Sequence, residues 1–249
     1  MLQIKNLSKE YGSSTILDDI NLEISSGQTY TLLGKNGAGK TTMINLILDL
    51  IKPFKGAVSL DDKNVTELSA IDKKNIGVVA EDLGLIEEIS GFEYLNFIGK
   101  IYKLAKPVLR RRIEDLFAYF FEDETDLNKS IANYSTGMKK KIAFCGAVLH
   151  TPKYLILDEP FSGLDPLVAN QMISFLKKYQ GDDRIIFISS HDLGYVQKVA
   201  SHIGVLNDSK LVYNNSLQEF TENGANALDS ALLKILKPNE SELDKIDWL

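Results

Sequence analysis

The residues Gly34-Lys35-Asn36-Gly37-Ala38-Gly39-Lys40-Thr41-Thr42 set glycines, a lysine and two adjacent hydroxyls within one short stretch. Glycine tolerates positive φ, so such a backbone can curl and turn its N–H groups inward. A helix beginning near the lysine adds the positive end of its dipole, and together they form a cradle for phosphate oxygens. In that cradle Lys40 reaches the β- and γ-phosphates as a point charge, and the Thr41 hydroxyl supplies an oxygen ligand to Mg²⁺. A turn that merely needed glycine would explain neither the lysine nor the threonine.

A second set of reactive groups lies far along the chain. Asp158 and Glu159 follow the apolar run Tyr154-Leu155-Ile156-Leu157, and His191 follows Ile185-Ile186-Phe187-Ile188-Ser189-Ser190. A carboxylate directly after an apolar strand stands where a phosphate-loop ATPase supports its Mg²⁺, which is the place of Asp158. Glu159, one residue on, can face the γ-phosphate and polarise a water. His191 has the setting of a catalytic or phosphate-sensing residue.

These groups need elements to hold them. Tyr30-Thr31-Leu32-Leu33 feeds the loop as a strand, and Met43, Ile44, Leu46, Ile47 and Leu50 leave it with helical spacing. The unbroken runs 154–157 and 185–188 predict strands buried on both faces of a mainly parallel sheet. Ligands gather at the carboxyl ends of such strands, so the loop, Asp158, Glu159 and His191 should meet at one edge. Residues 2–7 and 20–24 alternate and predict half-buried antiparallel strands, joined by a turn over 9–14 that displays Tyr11. Residues 56–60 predict a strand, and 76–79 a further, buried one. Helical spacing sets in over 85–149, with Leu95, Ile98 and Tyr102, then Ile113, Leu116, Phe117 and Phe120. This predicts an inserted helical subdomain whose aromatic rings serve mainly as core, the rest lining a groove for a partner. A later helix should bury Met138, Ile142, Cys145 and Leu149. Residues 203–213 read as a closing hairpin and 228–236 as a short helix, before an acidic tail with Glu240, Glu242, Asp244 and Asp247.

Composition narrows the class. Of 249 residues 44% are hydrophobic and 25% charged, close to the globular average, so the chain can bury a large α/β core. A formal charge of −6 argues against broad binding to a nucleic-acid backbone. The runs Arg110-Arg111-Arg112 and Lys139-Lys140-Lys141 then read as solvated helix faces. The single Cys145 cannot form an internal disulfide and reads as a small buried hydrophobe, and the start shows no charged-then-apolar leader; both fit a reducing cytoplasm. No run of about 18 apolar residues exists, so a partner would have to supply any membrane span. His150 and His202 read as surface or helix-end residues.

Taken in order, the motifs resemble the ATP-binding subunits of ABC transporters. Tyr11 matches the family's adenine-stacking aromatic, residues 34–42 its Walker A motif and 154–159 its Walker B motif. Tyr134-Ser135-Thr136-Gly137-Met138 stands at the signature, Ser162-Gly163-Leu164-Asp165 at the loop after Walker B, and His191 at the switch histidine. Thr136 and Met138 replace the usual glycine and glutamine, and Glu81 stands where a glutamine is usual, which adds negative charge near the γ-phosphate. Such variants resemble those of exporters with a separate membrane subunit.

The resemblance implies an α/β phosphate-loop NTPase with a RecA-like core, an N-terminal antiparallel β-subdomain and an inserted α-helical subdomain. Residues 1–84 and 150–215 would form the core and β-subdomain, 85–149 the helical subdomain, and 216–249 a helix and tail. It implies ATP contacts from Tyr11, Gly34, Asn36, Gly37, Ala38, Gly39, Lys40, Thr41, Thr42, Ser135, Gly137 and Asp165, and Mg²⁺ ligation by Thr41, Glu81 and Asp158. Lys40, Glu159 and His191 would carry the chemistry, with Glu159 as base. The implied partners are a second ATPase subunit, packed head to tail so that one signature closes over the other's nucleotide, and a transmembrane permease. The permease would hold the chain at the inner face of the cell membrane, and no nucleic acid is expected. Soluble relatives run the same clamp on ribosomes or DNA, and that alternative stays open, although the negative charge and single cassette weigh against it. A phosphate-loop kinase or GTPase would leave the signature unexplained.

Overall fold

The structure is a computed structural model that describes residues 1–236. β1 (Leu2–Tyr11) and β2 (Ser14–Ile24) pair antiparallel, with Leu2 opposite Ile24 and Tyr11 opposite Ser14. Leu2, Ile4, Ile20, Leu22 and Ile24 are buried, as their alternation predicts. The turn is shorter than the sequence suggests. Backbone pairing runs on through Lys9, Glu10 and Tyr11, whose polar surroundings hide it from a hydrophobic pattern, so only Gly12 and Ser13 turn and Tyr11 ends a strand.

β3 (Thr29–Leu33), buried throughout, leads into α1 (Lys40–Ile47). β4 (Lys55–Leu60) pairs with β1, and the two-residue β5 (Lys63–Asn64) pairs with β4, giving a four-stranded antiparallel sheet ordered β2-β1-β4-β5. The four-residue α2 (Ala70–Lys73) precedes β6 (Ile76–Val79). Next come α3 (Gly91–Ile101), α4 (Lys106–Phe120) and α5 (Thr136–Val148). A capping box between Ser90 and Glu93 starts α3, Pro107 stands in the first turn of α4, and the Ser135 hydroxyl caps α5. β7 (Tyr154–Asp158), α6 (Pro166–Tyr179), β8 (Ile185–Ser190), α7 (Leu193–Val199), β9 (His202–Asn207), β10 (Lys210–Ser216), α8 (Leu217–Phe220) and α9 (Leu228–Leu236) follow.

The second sheet is ordered β10-β9-β3-β8-β7-β6, parallel except for β10, which forms the expected hairpin with β9. Its central strands bury both faces. Leu155, Leu157, Ile186 and Ile188 join one core with Leu95, Phe117, Ile142 and Leu176 from the helices. Tyr154, Ile156, Ile185 and Phe187 join another, with Met43 and Ile47 of α1 and the inner face of the antiparallel sheet. Each fully buried aliphatic side chain there contributes about 1.5–3 kcal/mol, which is how a run such as 154–157 comes to hold Asp158 at a defined edge.

Three further expectations change. β6 is the edge strand of its sheet, and Val78 is over a third exposed, so its non-alternating pattern did not mean burial on both faces. The buried surface of α5 is wider than a stripe: everything from Ile142 to Leu149 is buried, because the helix is wedged among α3, α4 and β6. His150 stands at the end of α5, one of the two places expected, half-buried and stacked on Tyr102, with Nε2 3.2 Å from the carbonyl of Ile76. His202 opens β9 half-buried, with Nε2 3.0 Å from Gln28 Nε2. Cys145 is buried, as expected. Most aromatic rings of the helical layer are core, while Phe92 and Phe97 are exposed. α8 adds a turn that the sequence did not signal, and the acidic tail lies outside the described residues. Among these, no helix is long and apolar enough to cross a membrane.

Candidate nucleotide site

The phosphate loop forms where β3 ends and α1 begins. Gly37 and Gly39 have φ of 82° and 104°, which a side chain would disfavour. At Gly39 a Cβ would also press on Ile16 and Leu17 at 3.1 Å. The first turn of α1 carries no acidic residue and no side-chain cap, so its unpaired amides remain available to an anion.

Lys40 is 6% exposed, and its ammonium donates to the carbonyls of Gly34 at 2.9 Å and Lys35 at 3.3 Å. It lies 3.2 Å from Glu159 Oε1, a buried oxygen that accepts no hydrogen bond. The other oxygen, Oε2, accepts from His191 Nδ1 at 2.9 Å. Sheet order explains the meeting: β8 lies between β3 and β7, so the residues that follow all three strands share one edge. Asp158 is buried and accepts from the Ser189 hydroxyl, while the Glu159 amide donates to Ser189 Oγ at 2.9 Å.

A cleft of about 380 Å³ opens above these groups, lined by Tyr11, Ile16, Asn36, Gly37, Gly39, Lys40, Thr41, Thr42, Glu81 and Glu159. Tyr11, 52% exposed, and Ile16 bring apolar surface to this lining, and Lys40, Thr41 and Glu159 bring polar groups. Gly34, Ala38, Asp158 and His191 are not part of this lining. Ser135, Gly137 and Asp165 do not reach it. Ser135 accepts from the Met138 amide at 3.2 Å, and Asp165 caps α6 through the amides of Leu167 and Val168, both at 3.0 Å. Gly137 has no positive φ, and a Cβ there would meet nothing nearer than Leu164 at 3.9 Å.

Among the described residues no three His, Cys, Asp or Glu side chains gather as a metal cage. A hydroxyl at Thr41 and carboxylates at Glu81 and Asp158, spread around a phosphate cradle, instead fit a hard cation that keeps its waters and shares the oxygens of a nucleotide.

Sequence reasoning missed three contributors. Ile16 left no signal. Ser189 could have been noticed as a hydroxyl that ends an apolar strand beside Asp158. Lys140, read as solvated, is half-buried and donates to the carbonyls of Glu159, at 3.2 Å, and Ser162. Burial lowers its pKa, with the carboxylates of Glu159 and Glu81 opposing.

A parallel sheet whose strand ends carry a glycine-rich phosphate loop, a buried lysine and an acidic pair defines a phosphate-loop nucleotide-binding cassette. The family described as ABC transporter matches residues 17–162, and the chain belongs to that family. It is 34% identical over 221 residues to the bacitracin transport ATP-binding protein BcrA of Enterococcus faecalis, covering 88% of this chain and 70% of that one. It is 31% identical over 212 residues to the linearmycin resistance ATP-binding protein LnrL of Bacillus subtilis, covering 85% and 68%. A solved ATP-binding subunit of an ABC transporter superposes with a TM-score of 0.86 at 27% identity, covering 94% of this chain and 99% of the other.

Proposed function

We propose that this chain is the ATP-hydrolysing subunit of an exporter for antibiotic-like cargo, pairing with a second cassette around ATP and working through separate permease subunits. The observation that carries the hydrolytic part is the Glu159 carboxylate, set between Lys40 and His191 directly under the phosphate cradle. Relatives named for bacitracin transport and linearmycin resistance support the cargo class and the direction.

In this reading the triphosphate takes over the Lys40 ammonium from the Gly34 and Lys35 carbonyls and from Glu159. The carboxylate, freed from that pairing, accepts a proton from the water as its oxygen attacks the γ-phosphorus and the bond to the β-phosphate oxygen breaks, releasing ADP, and His191 holds the other carboxylate oxygen and faces the γ-phosphate. Mg²⁺, held by Thr41 with Glu81 and Asp158, would neutralise phosphate charge. Tyr11 stacks on the base. Ser135 and Gly137 stand apart from their own chain's cleft, which suits an approach to the nucleotide of a partner cassette. ATP then favours the closed pair by binding it more tightly than the open one. The helical layer, reached from the cleft through Glu81, is the docking side for the permease, which would place the chain at the inner membrane face.

The test joins two measurements. Glu159→Gln should bind ATP, lose turnover by about 10²- to 10⁴-fold and accumulate as a dimer. Native protein from detergent-solubilised membranes should co-purify with a stoichiometric polytopic protein. Normal turnover in the variant removes Glu159 from the mechanism; co-purification with ribosomes or nucleic acid instead of a membrane protein removes the transporter.

A further inference from the structure

Glu159 has φ of +46°, a left-handed conformation that residues with side chains adopt only when neighbours hold them there. Two elements do so. From β8, the carbonyl and hydroxyl of Ser189 accept the Glu159 amide at 3.2 and 2.9 Å. From α5, Lys140 Nζ donates to the Glu159 carbonyl at 3.2 Å, a carbonyl that also accepts from the Ser162 amide at 3.2 Å, and the same ammonium donates to the Ser162 carbonyl, so it fastens that turn to the helix. Both peptide units that flank the Glu159 Cα are therefore pinned, and their orientation aims the carboxylate at Lys40 and His191.

The neighbours of Lys140 behave differently. Lys139 pairs with Glu87 at 2.7 Å, and Lys141 lies 5.5 Å from the centre of the Phe121 ring. Only Lys140 of the three reaches the loop after β7. It is also five residues along α5 from Ser135, roughly 7.5 Å of helix, so the exposed N-terminus of α5 and the tie to the Glu159 main chain belong to one helix.

We propose that Lys140 is a positioning residue for hydrolysis, tying the main chain of Glu159 to α5 so that closure on the N-terminus of that helix sets the aim of the carboxylate. This rests on the reading of Glu159 as the base. Lysine suits the task better than a neutral donor. Its three N–H groups serve two carbonyls at once, and its charge sits near the carboxylates of Glu159 and Glu81. Glu81 stands where the resembled subunits usually have glutamine, so the extra negative charge near the γ-phosphate has a cation close by to offset it.

The test measures ATP turnover and ATP affinity for Lys140→Ala, Lys140→Arg, Glu159→Gln and the double variant Lys140→Ala/Glu159→Gln, with an unfolding curve for each. Lys140→Ala should lower kcat by up to about a hundred-fold, as misplacing a reacting group does, while ATP affinity stays within about twofold. Arg, whose fork can also serve two carbonyls, should restore most of the rate. In the Glu159→Gln background, Lys140→Ala should cost nothing further in single-turnover rate, because the residue acts through Glu159. A parent-like kcat in Lys140→Ala alongside an inactive Glu159→Gln overturns the Lys140 role alone. So does an equal further loss in the double variant, or a loss confined to affinity. Parent-like turnover in Glu159→Gln overturns the base assignment, and the Lys140 role with it. Should Lys140→Ala fail to fold, Lys140→Met keeps the buried stem and carries the same comparison.

Discussion

His150 lies flat against Tyr102, ring centroids 3.5 Å apart and planes within 7° of parallel. Tyr102 ends α3 and His150 follows α5, while Nε2 of the same imidazole donates to the Ile76 carbonyl at the start of β6. One ring thus joins the helical layer to the sheet edge whose strand runs on toward Glu81. A carbonyl only accepts, so the Nε2–H form is the one that fits.

A pH dependence follows. Burial pushes the His150 pKa from 6.5 down to about 4, and the nearby Arg112 cation acts in the same direction. Between those values the unfolded chain holds a proton that the folded chain does not. The stability owed to the neutral ring is therefore complete above about pH 6.5 and is lost as pH falls toward 4. His150→Phe keeps an aromatic partner for Tyr102 but cannot titrate. At pH 7 it should be less stable than the parent by about 1 kcal/mol for the lost hydrogen bond, and the gap should close or reverse by pH 4.5. Carboxylates titrate in both proteins, so the informative quantity is the difference between their urea-unfolding free energies. A gap independent of pH would mean that His150 is not held neutral.

Tyr11 offers a separate test in the cleft. Its ring is half exposed at the end of β1, with Lys9 Nζ 4.8 Å from its centre, and it lines the cleft beside Ile16. Stacking of a base on an aromatic ring is worth about 1–3 kcal/mol. Tyr11→Ala should therefore weaken ATP binding by roughly fivefold to a hundred-fold in calorimetric titration, and Tyr11→Trp should restore it. Inorganic triphosphate, which has no base to stack, should bind both proteins alike. Unchanged ATP affinity would leave Tyr11 a hairpin residue.

The site was largely legible because its chemistry sits at the ends of strands that must be buried. Runs such as 154–157 and 185–188 have no polar face to show water, so they belong inside a sheet, and the residues after them meet at its edge. The contact between Lys40 and Glu159 was less so, since it depends on β8 lying between β3 and β7. Lys140 was hidden altogether. Within Lys139-Lys140-Lys141 a local pattern cannot tell which ammonium turns inward, and the answer lies in the packing of α5 against the loop after β7. The edge position of β6 and the all-round burial of the second half of α5 escaped for the same reason: periodicity reports one surface of an element and not how many neighbours enclose it.

Gly137 separates what the single chain needs from what a pair of cassettes needs. Inside the chain nothing requires glycine there: its φ is ordinary for a helix, and a Cβ would find room. Glycine in a helix is less favourable than alanine by up to about 1 kcal/mol, so Gly137→Ala should leave the isolated chain equally stable or slightly more so. ATP affinity of the chain's own cleft should not change, because Gly137 does not line it. If the glycine is there to let a partner's nucleotide approach the backbone at the start of α5, the added methyl stands in the way. In a Glu159→Gln background, sedimentation with ATP should then show Gly137→Ala as a weaker dimer despite its intact fold and intact nucleotide binding. Equal dimerisation of the two variants would mean that the N-terminus of α5 does not close on a second cassette.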